Sequence, residues 1–187
     1  MKAVLFPGQG SQYVGMGLDF YKKFGIVKEI FQRVDDTLGF SLSNIILYGS
    51  DSDLKLTQNT QPAIMTVGVS IFNVLNKEFG FNLSSAKYFA GHSLGEYTAL
   101  VCSGSLSIER ASYLLHERGK SMQMAIPPGE GLMLAILGMT IEEVEKEISF
   151  FSKEKDGVCE IANDNSDGQV VVSGNKDKIN KLHTNLK

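Results

Sequence analysis

The sequence predicts an α/β protein, and three patterns along its 187 residues lead to this class. A short apolar strand leads into a glycine-rich loop within residues 3–12. A second strand turns directly into a helix within residues 87–102, and strands alternate with helices from residue 131 onward. A chain of this length can bury a sizeable core, so we expect one main domain with a small second part.

The composition excludes several classes of protein. The chain has 18 Lys plus Arg and 21 Asp plus Glu, a formal net charge of -3 and 43% hydrophobic residues, which excludes most strongly basic nucleic-acid binders and most disordered chains. Two cysteines, Cys102 and Cys159, cannot build a disulfide framework, and no Cys/His cluster has zinc-ligand spacing. No signal peptide or long apolar run occurs, so we expect a cytoplasmic protein that does not span a membrane. From the charge and the lack of a Cys/His cluster, we also expect no nucleic-acid partner and no metal.

The first part, residues 1–125, holds the elements of the expected core. They are, in chain order, a strand at 3–6, a helix at 19–38, a polar connection at 51–57, a helix at 62–79, a strand at 87–91, a helix at 94–102 and a helix at 107–124. Gly39 and Gly80 stand where the first two helices should end. The helix that ends at residue 79 has Pro62 in its opening turn and is apolar nearly all round, which predicts a buried central helix.

The second part, residues 126–187, follows a break in the apolar pattern. Its predicted elements are a strand at 131–138, a helix at 141–151, a strand at 158–163, a strand at 169–173 and a helix at 176–186. Asp167 and Gly168 are expected to form a turn between the two later strands. This order follows most of a ferredoxin-like split βαβ motif, which requires one more strand.

Residues 91–95 match the pattern G-x-S-x-G, with a predicted strand before them and a predicted helix after them. An abrupt strand-to-helix turn strains its middle residue and requires small residues at the positions that Gly91 and Gly95 occupy. The turn places the hydroxyl of Ser93 at a helix N-terminus, where free N–H groups favour developing negative charge. The pattern therefore predicts that Ser93 is a nucleophile, with a merely structural turn as the alternative.

The three histidines of the chain are poor candidates for the base that would activate Ser93. His92 is adjacent to it in sequence, and adjacent side chains at such a turn diverge, so we expect His92 to pack nearby or to line the pocket. His116 falls on the polar side of its helix, and His183 lies in a lysine-rich tail.

Arg118 falls inside the apolar face of the 107–124 helix when residues are placed at about 100° intervals. An unpaired buried guanidinium is costly, so Arg118 must reach solvent or meet a partner. Periodicity alone leaves two interpretations open. Arg118 forms an internal salt bridge or reaches past the apolar face, or it is a bidentate receptor for a carboxylate on the substrate.

Five sequence blocks resemble those of malonyl-CoA:acyl carrier protein transacylases and occur in the same order. They are residues 6–12, 60–63, 91–97, 117–123 and 165–171. Several independent blocks in the right order are more specific than the G-x-S-x-G pattern alone. The resemblance covers essentially the whole chain and implies an α/β-hydrolase-like parallel-sheet core at residues 1–125, followed by an incomplete ferredoxin-like small subdomain at residues 126–187.

The resemblance also implies an activity, a ping-pong transfer of malonyl from coenzyme A to the phosphopantetheine thiol of acyl carrier protein in fatty-acid biosynthesis. Ser93 resembles the acylated nucleophile, and Arg118 resembles the arginine that binds the malonyl carboxylate. The remaining site residues implied are the backbone N–H groups of Gln9 and Leu94 as the oxyanion hole, and Gln61, His92 and Asn163 as pocket lining. We expect no bound cofactor, and a monomer when the protein is complete.

Members of this family are longer than this chain. We therefore expect the chain to correspond to about the first two-thirds of an enzyme. The catalytic histidine of the family lies downstream of that segment, so we expect the 187-residue chain alone to turn over little. Two other functions remain as alternatives: a serine esterase or thioesterase that uses the same turn, and a catalytically incompetent fragment that retains the malonyl pocket. Arg118 and the Gln9 loop favour the transferase over the esterase.

Overall fold

The structure is a computed structural model that describes residues 1–127, 129–151 and 157–186. The chain forms two compact units, Met1–Met124 and Ala125–Lys187. The elements of the first unit are β1 (Ala3–Phe6), α1 (Leu18–Lys23), α2 (Gly25–Leu38), α3 (Leu42–Tyr48), α4 (Asp51–Lys55), α5 (Thr57–Lys77), a 3₁₀ turn (Leu83–Ser85), β2 (Tyr88–Gly91), α6 (Leu94–Cys102) and α7 (Ile108–Ala125). Those of the second are β3 (Gly131–Leu137), α8 (Ile141–Phe151), β4 (Cys159–Ser166), β5 (Gln169–Asn175) and α9 (Lys176–Asn185).

Strands β1 and β2 pair in parallel, which confirms the predicted α/β class with a parallel sheet. The register runs from Ala3 opposite Tyr88 to Phe6 opposite Gly91. Both strands therefore end at the same edge of the sheet, and the loops that follow them leave side by side. Ligands of parallel α/β sheets bind at this edge, beyond the carboxyl ends of the strands.

Helix α5 lies at the centre of the first unit, as its apolar sequence predicts. Most of its first three turns is buried, including the polar side chains of Asn59, Thr60 and Gln61. The hydroxyl of Thr60 donates to the carbonyl of Leu54 at 2.5 Å. A buried helix that carries polar groups must satisfy them internally, so these contacts fix the start of α5.

The single helix predicted at residues 19–38 is wrong. The chain breaks at Phe24, which is extended with φ -118° and ψ 121°, so that α1 ends at Lys23 and α2 begins at Gly25. The ring of Phe24 packs against Phe20 and Phe79, with centroids 6.0 and 6.2 Å away. These aromatic contacts compete with helix continuation, and the apolar spacing could not show that because both helices share it.

The polar connection predicted at residues 51–57 is also wrong, since the short helix α4 occupies most of it. The hydroxyl of Ser50 caps α4 by accepting from the N–H of Asp53 at 3.0 Å, and Lys55 pairs with Asp51 at 2.5 Å. Helix α5 then starts at Thr57, so Pro62 is its sixth residue and lies past the first turn. The prediction that Pro62 stands in the opening turn of this helix is therefore wrong.

The second unit has an antiparallel sheet in the order β3-β5-β4, which is the order of a split βαβ motif with β3 and β5 adjacent. Helices α8 and α9 pack on it through an apolar core of its own, which includes Val144, Val172 and Ile179. Strand β4 continues to Ser166, three residues beyond the predicted end, with irregularities in its register on either side of Asn163 and Asp164. The fourth strand that a complete motif needs is not among the described residues. The division into a hydrolase-like and a ferredoxin-like domain stays a prediction.

Candidate active site

Ser93 lies between β2 and α6 in the strained conformation that the sequence predicts. Its φ is 54° and its ψ is -113°, and among the described residues only Asn82 shares a positive φ without being glycine. A non-glycine residue held in such a region costs about 1–3 kcal/mol and persists only where its surroundings enforce it. The side chain of Ser93 is exposed at the N-terminus of α6, where a substrate can reach it.

Gly91 and Gly95 enforce this conformation by their lack of side chains. A Cβ on Gly91 would overlap the carbonyl group of Gly95 and lie 2.6 Å from the backbone nitrogen of Glu96. A Cβ on Gly95 would lie 2.5 Å from the carbonyl oxygen of Phe6 and 2.8 Å from that of Pro7. Since real Cβ atoms do not approach backbone this closely, both positions require glycine, and the sharp turn depends on them.

The start of α6 presents a backbone donor next to Ser93. The N–H of Gly95 donates to the carbonyl of His92 at 2.9 Å, and the N–H of Glu96 donates to the carbonyl of Ser93 at 3.1 Å. Within the described part of the chain, the N–H of Leu94 has no acceptor. This donor, assisted by the helix dipole, can receive negative charge that develops on an oxygen bonded beside Ser93.

The glycine-rich loop after β1 lies against this turn. The N–H of His92 donates to the carbonyl of Phe6 at 3.2 Å, and a Cβ on Gly8 would lie 2.6 Å from Nδ1 of His92. The loop is held internally because the N–H of Gly10 donates to the side-chain oxygen of Gln12 at 2.8 Å. Gln9 lies between Gly8 and Gly10 and is exposed, and the role of its backbone N–H in an oxyanion hole stays a prediction.

Arg118 of α7 reaches the nucleophile candidate directly. Its Nη2 donates to Oγ of Ser93 at 3.1 Å, and its Nη1 donates to Oε1 of Gln61 at 2.5 Å. Arg118 is half-buried and not fully buried, and no carboxylate among the residues that the structure describes forms a salt bridge with it. The described residues therefore do not form the internal salt bridge that one interpretation predicts for Arg118. The guanidinium is held instead by a neutral amide and a hydroxyl.

The role of Gln61 in holding Arg118 could not be read from the sequence. Gln61 is 1% exposed, its Oε1 accepts from Arg118, and its Nε2 lies 3.2 Å from the sulfur of Met122. Both ends of the amide are thus engaged with α7. The one signal for it is a polar residue placed on a helix that is otherwise apolar on that side.

Asn163, the remaining predicted pocket residue, belongs to the second unit. It lies exposed on β4 and pairs with Val171, directly after a register shift that follows Ile161. Its proposed role in the pocket stays a prediction. Within the described ranges, no group of three His, Cys, Asp or Glu side chains comes close enough to hold a metal ion. None of the described helices is both long and apolar enough to cross a membrane.

Comparison with known proteins assigns the family. The family model described as an acyl transferase domain matches residues 4–187, nearly the whole chain. The chain belongs to the acyl transferase domain family. The expectation drawn from the five sequence blocks is confirmed at this level, and the G-x-S-x-G turn is that of an acyl transferase domain.

Individual members of the acyl transferase family agree with this assignment. The chain is 43% identical over 172 residues to malonyl CoA-acyl carrier protein transacylase of Bacillus subtilis, covering 92% of this chain and 53% of the relative. The identity to the Escherichia coli transacylase of the same name is 38% over 179 residues, covering 96% of this chain and 56% of the relative. The chain thus spans about half the length of these relatives, less than the two-thirds expected.

Solved structures of acyl transferases share the fold. An acyl-carrier-protein-S-malonyltransferase from Bartonella henselae superposes with a TM-score of 0.89 at 40% identity, covering 100% of this chain and 59% of that one. A malonyl-transacylase solved in complex with its type II PKS acyl-carrier protein superposes with a TM-score of 0.87 at 36% identity, covering 98% of this chain and 58% of that one. The predicted α/β fold with a parallel sheet is therefore that of acyl transferase structures, for the part that this chain supplies.

Proposed function

We propose that this chain carries the nucleophile and the acyl-selecting half of a malonyl-CoA:acyl carrier protein transacylase. The observation that carries the proposal is the distance of 3.1 Å between Nη2 of Arg118 and Oγ of Ser93. A nucleophilic hydroxyl and a fixed cation in direct contact suit an acyl group that has a carboxylate at its far end. Malonyl is an acyl group of that kind.

In the first half-reaction, Oγ of Ser93 attacks the thioester carbon of malonyl-CoA, a C–O bond forms, the C–S bond breaks and coenzyme A leaves as its thiolate. The serine proton passes to a base, and by resemblance to the family that base is a histidine of the longer protein. Charge develops on the carbonyl oxygen during the attack. The free N–H of Leu94 and the N–H of Gln9 are the donors that we assign to it.

The malonyl ester on Ser93 brings its carboxylate back to Arg118. The carboxylate carbon is three covalent bonds from Oγ, so it reaches the guanidinium that lies beside Oγ. Since Gln61 already holds Nη1, the guanidinium is oriented before the substrate arrives, and a planar cation of this kind binds a carboxylate with two parallel hydrogen bonds. An acetyl group ends in a methyl and leaves the cation unpaired, which disfavours it.

In the second half-reaction, a thiol takes the acyl group from the serine. Its sulfur attacks the ester carbon, the bond to Oγ breaks, and the thiol proton returns to Oγ through the same base. We propose acyl carrier protein as the donor of this thiol, because a related transacylase has been solved in complex with such a protein. The two cysteines of the chain are free thiols, as a reducing compartment leaves them, and we place the reaction in the cytoplasm.

The test is intact-mass measurement of the chain during incubation with malonyl-CoA. We expect slow addition of one malonyl group, because the base is not expected in this chain, and its complete loss in the Ser93→Ala variant. Adding holo acyl carrier protein should then remove the group faster than water does. An adduct that survives Ser93→Ala would refute the assignment of Ser93, and the absence of any adduct would favour the catalytically incompetent fragment. Hydrolysis as fast as transfer would identify a thioesterase instead.

A further inference from the structure

Pro62 leaves a gap in the hydrogen-bond ladder of α5. The helix runs from Thr57 to Lys77 with Pro62 inside it. Proline has no N–H, so the carbonyl of Gln58, four residues earlier, loses the partner that an ordinary helix would give it. A backbone carbonyl in a packed region needs a donor from elsewhere.

That donor comes from α7. Nδ1 of His116 lies 2.9 Å from the carbonyl oxygen of Gln58. A carbonyl oxygen can only accept, so Nδ1 carries the proton in this contact. The imidazole ring also packs against Phe40, with the two ring centroids 5.3 Å apart. His116 is thus half-buried and joined to two elements, although its position on the helix predicted a solvent-facing side chain.

Gly119 brings the backbones of the same two helices together at the same place. A Cβ on Gly119 would overlap Cα of Gln58 and lie 2.6 Å from the carbonyl oxygen of Thr57. Residues three apart on a helix share a face, so His116 and Gly119 contact the start of α5 as one surface. The hydrogen bond and the close approach together fix both the distance and the register between α5 and α7.

Arg118 and Gln61 lie next to the place where α5 and α7 cross, one on each helix. Arg118 stands between His116 and Gly119 on α7, and Gln61 comes three residues after Gln58 on α5, where it accepts from Nη1 of Arg118 at 2.5 Å. Any slip of α7 along α5 would therefore part the guanidinium from the amide that orients it. We propose that His116 is a positioning residue whose hydrogen bond to the Gln58 carbonyl aims Arg118 at Ser93. The consequence for acyl selection rests on the proposed function, whereas the geometric claim does not.

The test compares two variants of His116, each of which keeps one feature of the imidazole, its ring or its N–H donor, and removes the other. His116→Phe keeps a ring against Phe40 and removes the donor. His116→Asn removes the ring and keeps an N–H group bonded to Cγ, the place where Nδ1 is bonded in histidine. We expect His116→Asn to retain the position of Arg118 and His116→Phe to lose it.

The position of Arg118 can be measured by NMR of its guanidinium group. The chain has only three arginines, Arg33, Arg110 and Arg118, so the Arg118→Lys spectrum assigns the signals. A guanidinium held at both Nη groups gives separate Nη signals, whereas a free one rotates and gives averaged ones. We expect separate signals in the wild type and in His116→Asn, and averaged signals in His116→Phe.

Pro62→Ala distinguishes positioning from the simple satisfaction of a carbonyl. Alanine supplies the missing N–H, so in the Pro62→Ala/His116→Phe double variant α5 satisfies the Gln58 carbonyl by itself. We expect this variant to recover the urea midpoint that His116→Phe loses while the Arg118 signals stay averaged. Separate Arg118 signals in either variant would mean that His116 only satisfies a carbonyl, and the proposal would be wrong.

The functional consequence is a loss of acyl selection. We expect His116→Phe to lower the preference of Ser93 for malonyl over acetyl thioesters by roughly tenfold, with His116→Asn close to wild type, since small displacements of a binding group cost one to two orders of magnitude. An unchanged preference in His116→Phe would overturn this consequence. A wild-type chain that takes no malonyl would refute the proposed function alone, because the guanidinium signals test the positioning contact without any acyl transfer.

Discussion

Replacing Arg118 by alanine should separate malonyl from acetyl transfer. In the structure, the guanidinium contacts Oγ of Ser93 at 3.1 Å and Oε1 of Gln61 at 2.5 Å, so its removal affects both the acyl pocket and a buried amide. The change in the acyl pocket should slow the addition only of acyl groups that end in a carboxylate. The loss of the contact with the Gln61 amide should lower the stability of the folded protein, whatever the substrate.

The size of the two effects follows from the hydrogen bonds that alanine cannot make. Hydrogen bonds to charged groups contribute about 1.5–3 kcal/mol each, and because Arg118 is half-buried we take the lower value for each bond of a bidentate pair. Two bonds then contribute about 3 kcal/mol, on the order of a hundredfold in the rate of malonyl addition. Separately, Gln61 is 1% exposed and its Oε1 is left without the Arg118 donor, which should lower the free energy of unfolding by about 1–3 kcal/mol.

The assay is competition between malonyl-CoA and acetyl-CoA for Ser93, followed by intact mass, with urea denaturation of the same samples. We expect Arg118→Ala to lower malonyl addition about a hundredfold and to leave acetyl addition within about threefold. Arg110→Ala, an exposed arginine on the same helix, serves as the matched control and should change neither. Equal decreases for the two acyl groups would show that Arg118 does not receive the carboxylate.

Two further predictions concern stability. Gly91→Ala should lower the free energy of unfolding by about 3 kcal/mol or more, because its Cβ would overlap the carbonyl group of Gly95. Gly25→Ala is the matched control, since nothing lies within 4 Å of its Cβ, and urea curves of equal midpoint for the two would contradict the steric account. Burial raises the pKa of the Cys102 thiol from 9.0 to about 12, so the unfolded chain releases this proton first as the pH rises. Stability should therefore fall between pH 9 and 12, and Cys102→Ala should show a shallower fall in urea midpoints across that range. An identical pH dependence in the variant would disprove the burial effect.

The turn at Ser93 was predictable because its causes are local in sequence. Gly91 and Gly95 stand two residues on either side of Ser93, and the strand and helix that force the turn adjoin them. The backbone angles of Ser93 then follow from sterics that involve few distant residues. Even there, the contact of Gly95 with the carbonyls of Phe6 and Pro7 depends on strand pairing, which the motif implies only through the parallel order of β1 and β2.

The breaks between helices were not predictable because they depend on distant partners. Residues 19–38 keep a helical apolar pattern through Phe24, yet the ring of Phe24 packs against Phe79, which lies 55 residues later. The start of α5 at Thr57 likewise depends on a partner for the carbonyl that Pro62 leaves open, and that partner, His116, is 58 residues away from Gln58. Sequence spacing carries no information about such pairs.

The nucleophile and the carboxylate receptor are therefore held by different contacts. Ser93 is fixed by the packing of β2 and α6 against the glycine-rich loop, and its strain of about 1–3 kcal/mol is sustained there. Arg118 is fixed by the crossing of α5 and α7, where Gly119 touches the backbone of Gln58. The two sets of contacts meet at one hydrogen bond, from Nη2 of Arg118 to Oγ of Ser93. Energetic effects of residues in direct contact are not additive, so a displacement of Arg118 at the helix crossing should change acyl selection and also the surroundings of the Ser93 hydroxyl, while the strained turn itself stays intact.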